Sequence, residues 1–232
     1  MSDVSTLWFD ADTHQYHWGP LRELAVELMS VSATLGYAGL VRTAYFTPQS
    51  RDRGTAVHAL TEQFDAGLVD LSMLADDPLL PYVTAWAQFV EDTGAKFSRT
   101  EWALAHPDLG YAGTIDRVGT LLLQAKGATS GNGRSRVRRR CVVDIKSGVK
   151  TPTHPVQLAA YSALVTRQLV VQGEAPRSAG KLCRICVYLN KKGTYTVEDY
   201  GVGGEADVLW ASALTVAKFR RFHKLTEGHD AA

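Results

Sequence analysis

The chain has 232 residues, with 25 Lys and Arg against 24 Asp and Glu and 45% hydrophobic residues, which is the composition of an ordinary soluble globular domain. With 21% charged residues, 20 Gly and 8 Pro it is neither a low-complexity tract nor a charge-swollen disordered chain, and a single domain over residues 1–232 is expected. No run reaches the roughly 20 apolar residues of a membrane span, and the acidic start MSDVSTLWFDAD is unlike a signal peptide, so a cytoplasmic protein with no membrane partner is expected.

In chain order, LWFDADTHQYHW reads as two short strands around a polar turn from Asp10 to Thr13. A mostly helical stretch follows to about residue 94. Within it RGTAVHALTEQFDAG sets Val57, Leu60 and Phe64 on one stripe with Gly67 as a stop, and PLLPYVTAWAQFVEDTG repeats that logic up to Gly94. From Lys96 the period changes towards two, and KFSRTEWALAH, YAGTIDRVGTLLL and CVVDIKSG read as strands of one sheet. Between the last two, QAKGATSGNGRSRVRRR has the Gly, Ser and Asn content of a flexible hairpin loop. HPVQLAAYSALVTRQLVVQG is an amphipathic helix, LCRICVYLN and GTYTVEDY are strands joined by Lys-Lys-Gly, and a last helix runs from about Glu205 to Leu225. This succession makes an α/β fold with helices against a mixed sheet.

The three cysteines, Cys141, Cys183 and Cys186, suit neither a disulfide framework nor a four-thiolate cluster, and reduced thiols packed in the core are expected. The near-neutral charge hides two basic windows. Arg134, Arg136, Arg138, Arg139 and Arg140 fall within seven residues without an acid, and TVAKFRRFHK adds Lys218, Arg220, Arg221 and Lys224. Either window is a solvated face or a polyanion-binding surface.

CVVDIKSG carries the most chemistry. On an extended strand Asp144 and Lys146 share one face, while Val143 and Ile145 point into a core. An acid that holds a hard cation and a lysine that positions water suit a metal-dependent hydrolase; a surface ion pair is the plainer reading. Asp116 sits inside the apolar strand YAGTIDRV, which is costly for a carboxylate unless it is paired or metal-bound, and Gly113 leaves room for a close approach to the backbone. If the two strands are neighbours, Asp116 and Asp144 converge. His58 and Glu62 are four apart on one helical face, as are Gln157 and Tyr161; each pair either serves a site or packs and caps.

The ordered set of G-x-x-x-H (Gly54 to His58), Glu101, G-x-x-D (Gly113 to Asp116), D-x-K (Asp144 to Lys146) and Q-x-x-x-Y (Gln157 to Tyr161) resembles the PD-(D/E)XK nuclease superfamily. It is most similar to the RecB-type, phage exonuclease-like branch, as are the opening FDADTHQYHW and SVSATLG. The resemblance implies a restriction-endonuclease-like core at 51–226, its central mixed β-sheet flanked by helices, behind an N-terminal hairpin and helical extension at 1–50. It implies Asp116, Asp144 and Lys146 as catalytic residues. His58, Asp116, Asp144 and the Ile145 carbonyl would be ligands of Mg²⁺ or Mn²⁺. Glu62, Glu101, Gln157 and Tyr161 would support them, and no iron–sulfur cluster is expected.

The activity implied is DNA phosphodiester hydrolysis leaving 5′-phosphates, by an exonuclease first and an endonuclease second, in a bacterial or phage-infected cell. A DNA-binding module without activity is the competing reading. The two arginine windows would then follow the DNA, and a recombination or replication protein and self-association into a homo-oligomer are the partners considered. One departure is the separation of Asp116 from Asp144 by 28 positions, longer than the usual hairpin of the family, which leaves the strand register open.

Overall fold

The computed structural model describes residues 6–10, 13–41, 47–124 and 136–225. Its framework is an eight-stranded mixed sheet of β1 (Thr6–Asp10), β2 (Gln15–Gly19), β3 (Val26–Ser30), β4 (Lys96–His106), β5 (Tyr111–Gln124), β6 (Arg136–Lys146), β7 (Cys183–Leu189) and β8 (Tyr195–Asp199). The order is β1-β2-β3-β5-β6-β7-β8, with β4 on the other edge of β5. The pairs β3–β5 and β6–β7 are parallel and the remaining pairs antiparallel. Helices lie on both faces, as an α/β fold with a flanked central sheet requires.

Against one face pack α1 (Val31–Tyr37), α4 (His154–Val171) and α6 (Glu205–Phe222), burying Val31, Leu158, Leu164 and Trp210 against Ile115, Val142 and Cys186 of the sheet. Against the other pack α2 (Pro48–Asp65) and α3 (Leu80–Thr93), burying Val57, Trp86 and Phe89 against Leu121, Val143 and Ile185. A four-residue helix, α5 (Pro176–Ala179), precedes β7. The helix ends follow local chemistry. Thr47 caps α2 by accepting from the Ser50 amide at 3.2 Å with Pro48 in the first turn, and Gly94 ends α3 in the left-handed region at φ 52°.

Two expectations need correction. Residues 26–30, within the stretch expected to be helical, form β3, because VELMS is bonded to β2 on one side and β5 on the other. The arginine-rich run, expected in a loop, is strand from Arg136 onward and pairs with β5 over Gln124↔Arg136 to Leu121↔Arg139. A backbone ladder is indifferent to side-chain polarity, and long arginine stems cover apolar surface while their heads reach out. The earlier part of that insert, with Arg134, lies outside the described residues. The cysteines are all buried and free. Cys183 and Cys186 face opposite cores, as an odd spacing on a strand dictates. No helix among the described residues is long and apolar enough to cross a membrane.

The start of α4 is pinned by His154, whose Nδ1 accepts from the Thr151 amide at 3.4 Å and lies 2.7 Å from the Tyr188 hydroxyl on β7. An acceptor at Nδ1 must be unprotonated, so the phenol donates to it. Burial, reinforced by the charge of Lys146, holds the imidazole down at about 4. The unfolded chain, with an ordinary histidine near 6.5, therefore binds this proton more readily. His154 contributes stability above about pH 6.5 that is lost as the pH falls towards 4. Urea titrations at pH 7 and pH 4.5 should show a smaller loss of stability in His154→Gln than in the wild type; equal losses would contradict the assignment.

Candidate functional site

β5 and β6 run side by side only as far as the pair Arg117↔Val143. The next pair in that register would join Asp116 to Asp144, and there the strands part. The Asp116 carboxylate replaces the missing ladder acceptor, taking the Ile145 amide at 2.6 Å. Parting also shifts which way β5 faces. Tyr111, Ile115 and Val118 all enter the core under α4, although strict alternation would turn Val118 the other way. The 28-residue separation thus leaves the two acids in adjacent register, at one end of a ladder that runs to Gln124↔Arg136 at the other.

Glu101 completes this junction from β4. It lies between the pairs Thr100↔Arg117 and Trp102↔Ile115, opposite Asp116, and its backbone has φ 41°. A left-handed glutamate inside a strand costs of order 1 kcal/mol or more and persists only where its surroundings fix it. What fixes it is Arg117, which is fully buried. Its guanidinium donates to Asp65 at 2.6 Å, Glu101 at 3.0 Å, the Asp116 carbonyl at 2.7 Å and the Thr61 hydroxyl at 3.3 Å, and it lies over the Trp86 ring.

From α2, His58 enters the gap. Its Nε2 is 3.0 Å from the Ile145 carbonyl, and its Nδ1 is 3.6 Å from Asp116 and 3.7 Å from Glu101. A carbonyl accepts only, so Nε2 carries hydrogen and Nδ1 is turned to the two carboxylates. Burial alone would lower its pKa, but the Asp116 and Glu101 charges bring it to about 9. The pocket therefore favours a positive charge at Nδ1, whether a proton or a metal ion. One ligand atom from each of His58, Glu101 and Asp116 falls within 4.8 Å of the others.

Asp144 stands next to this group but is engaged elsewhere. It is 1% exposed and bonded to Lys146 Nζ at 2.8 Å, with the Cys186 thiol at 3.7 Å. Burial pushes its carboxyl up, against the pull of Lys146. Burial works to neutralise Lys146, yet the Asp144 and Asp116 charges raise its pKa and hold it as an ammonium. From α4, Gln157 Nε2 donates to the Tyr161 hydroxyl at 2.9 Å. Burial and the charges of Asp144 and Asp116 push the Tyr161 pKa far up, leaving a neutral phenol with its proton available to donate. The close approach expected at Gly113 is made by that ring: a β-carbon there would lie 2.9 Å from Tyr161 Cε1.

The expected residues therefore gather in two adjoining groups, His58–Glu101–Asp116 and Asp144–Lys146, with Ile145 between them and Tyr161 nearby. Glu62, one turn beyond His58, is outside the three-residue cluster. The described arginines of the first basic window lie apart, with Arg138 roughly 20 Å along β6 from Asp144 at ~3.3 Å per residue. Each has a protein partner: Arg136 the Asp92 carbonyl, Arg138 the Gly94 carbonyl, Arg139 the Cys183 sulfur and Arg140 the Glu174 carboxylate. In the second window Arg220 donates to the Tyr37 carbonyl and Arg221 pairs with Glu27.

Sequence reasoning passed over Arg117 and Asp65. The signal was present in TIDRV, since the cost of a charge inside an apolar strand applies to Arg117 as it does to Asp116. It also passed over Tyr16 of the N-terminal hairpin, whose hydroxyl is 2.8 Å from Thr114 Oγ1, two residues before Asp116. No known protein-family model matches the chain, and no curated protein matches it.

Arg117→Met would leave Asp65 buried without its cation and release Glu101. Breaking such a pair costs about 3–5 kcal/mol. Chemical denaturation should show a loss of that size, with Glu101→Gln costing much less because Arg117 keeps Asp65.

Proposed function

We propose that this chain is a metal-dependent DNA nuclease of the PD-(D/E)XK type that hydrolyses phosphodiesters to leave 5′-phosphates. The observation that carries the reading is the parting of β5 from β6 beside Asp116 and Asp144, with His58 and Glu101 drawn into the same gap. The donor set fits a hard divalent ion: two carboxylates suit Mg²⁺ and Mn²⁺, and one imidazole favours Mn²⁺. His58 through Nδ1, Glu101 and Asp116 would hold it, with Asp144 beside them. When bound, a divalent cation supplies Lewis acidity towards the phosphodiester oxygens and a lower pKa for water.

The chain's own groups have separate tasks in this reading. Lys146, kept charged by Asp144, donates from Nζ to the attacking water or to a phosphate oxygen, and its raised pKa argues against service as a general base. The Ile145 carbonyl fixes the His58 ring and its tautomer, as a backbone partner does for many ligating imidazoles. Tyr161, oriented by Gln157, offers a hydroxyl proton towards the same gap. Arg51, exposed and seven residues before His58 on the same stripe of α2, extends the site with a cation for the phosphate backbone. Arg136, Arg138 and Arg139 would meet the duplex some six base pairs away, at about 3.4 Å per base pair.

Linear, circular and single-stranded DNA incubated with Mg²⁺ or Mn²⁺ test the proposal. Linear DNA alone being degraded supports an exonuclease, and nicking or linearisation of circles an endonuclease. DNA binding without cutting under any metal would make the chain a binding module only. Lys146→Ala should lower the rate by roughly 10²–10³-fold while retaining Mn²⁺ binding. Asp116→Asn should abolish cleavage, and His58→Ala should weaken Mn²⁺ affinity by at least about tenfold in calorimetry. Wild-type rates in Asp116→Asn would rule the assignment out.

A further inference from the structure

α6 has two faces that the metal site does not explain. Trp210, Ala213, Leu214 and Ala217 point inward and are buried against α1, α4 and the sheet. At 100° per residue, Val208, Ser212, Thr215, Phe219 and Phe222 form a straight stripe on the opposite side. That stripe holds no charge, and its large members are open to solvent: Val208 is 67% exposed, Phe219 58% and Phe222 82%. Val216 and Leu209, also exposed, widen it on one flank. Single exposed apolar residues are common, but five large ones on one helix, Val208, Leu209, Val216, Phe219 and Phe222, with only Ser212 and Thr215 between them on the stripe, make an uncharged patch of the kind that serves association.

We propose that this face is the interface of a homodimer, in which α6 packs antiparallel against α6 of a second copy about a two-fold axis passing near Thr215. The stripe is complementary to itself under that operation, as an isologous contact demands. Val208 then meets Phe222 of the mate, and Phe219 meets the small Ala211 and Ser212, with Thr215 against Thr215 at the axis. A large-against-small pattern centred on small residues lets the helices approach to the 8–10 Å of ordinary packing.

Charge points to the same orientation. The first turn of α6 carries Glu205 and Asp207, and its last turn carries Arg220 and Arg221, so antiparallel packing sets acidic ends beside basic ends and opposes the helix dipoles. A parallel arrangement would stack like charges. Since α6 lies behind α4, while α2 with His58 packs on the other face of the sheet, dimerisation leaves α2 uncovered. This inference does not depend on the nuclease reading.

Sedimentation equilibrium of the full chain tests it first: the expected mass is twice the 25.3 kDa of the chain. Val208→Lys and Phe219→Asp should each raise the dimer dissociation constant at least tenfold. Both sites are exposed, so the circular dichroism spectrum and melting temperature should hold and separate lost association from misfolding. Mild oxidation with copper phenanthroline tests the orientation. Thr215→Cys should form an intermolecular disulfide by itself, whereas Val208→Cys and Phe222→Cys should cross-link only when mixed. The wild type, whose three cysteines are buried, serves as the blank. A monomer at 100 μM, self-cross-linking of Val208→Cys, or a monomer that floats with phosphatidylserine vesicles would each overturn the proposal.

Discussion

A buried guanidinium organises the molecule around its candidate site. Arg117 comes from the middle of the central strand, with no exposure of its own, and touches three other elements at once: Asp65 and Thr61 on α2, Glu101 on β4, and Trp86 on α3. A desolvated arginine is tolerable only when its five donors are nearly all used, and planar fork geometry lets one residue use them in several directions. Meeting that demand fixes how far α2 stands from the sheet. It thereby fixes where His58, two turns before Asp65 on the same helix, enters the gap between the strands.

The gap itself is a failure of β-pairing turned to use. Once β5 and β6 separate, the Ile145 amide and carbonyl lose their ladder partners, and buried backbone groups cannot be left unpaired. Asp116 takes the amide and His58 takes the carbonyl, so the two side chains best suited to bind a cation are also the ones that close the sheet. Glu101 is held opposite them in a backbone conformation it would not adopt unaided. Negative charge is thus concentrated where two strands diverge, and the charge of Arg117 offsets it on the far side only. The elevated affinity of His58 for a proton is the measure of what remains.

On the opposite face the logic differs. α4 and α1 supply an apolar layer against which Asp144 and Lys146 lie as a single ion pair, with Tyr161 filling the space that Gly113 leaves. One strand therefore presents alternate residues to two environments: Val143 and Ile145 to the α2–α3 core, Asp144 and Lys146 to the α4 side. α6 covers that layer and turns a largely apolar stripe outward, so the candidate site and that stripe lie on different elements.

Much of this was readable from the chain. Period-two and period-3.6 patterns located β4, β5, β7, β8 and the long helices, because each buries one face against a flat neighbour and the burial shows as spacing. The face shared by Asp144 and Lys146 followed from strand geometry alone. What the pattern could not carry was anything set by contact between distant segments. β3 does not alternate, since its buried residues Leu28 and Met29 are adjacent, and it is a strand because β2 and β5 flank it. Arg136 to Arg140 belong to a strand because β5 offers a ladder, whatever their polarity. The convergence of His58, Glu101 and Asp116 from three elements depends on where β5 parts from β6 and on the reach of Arg117. Those are matters of register and of pairing a buried charge, which only the assembled tertiary structure decides.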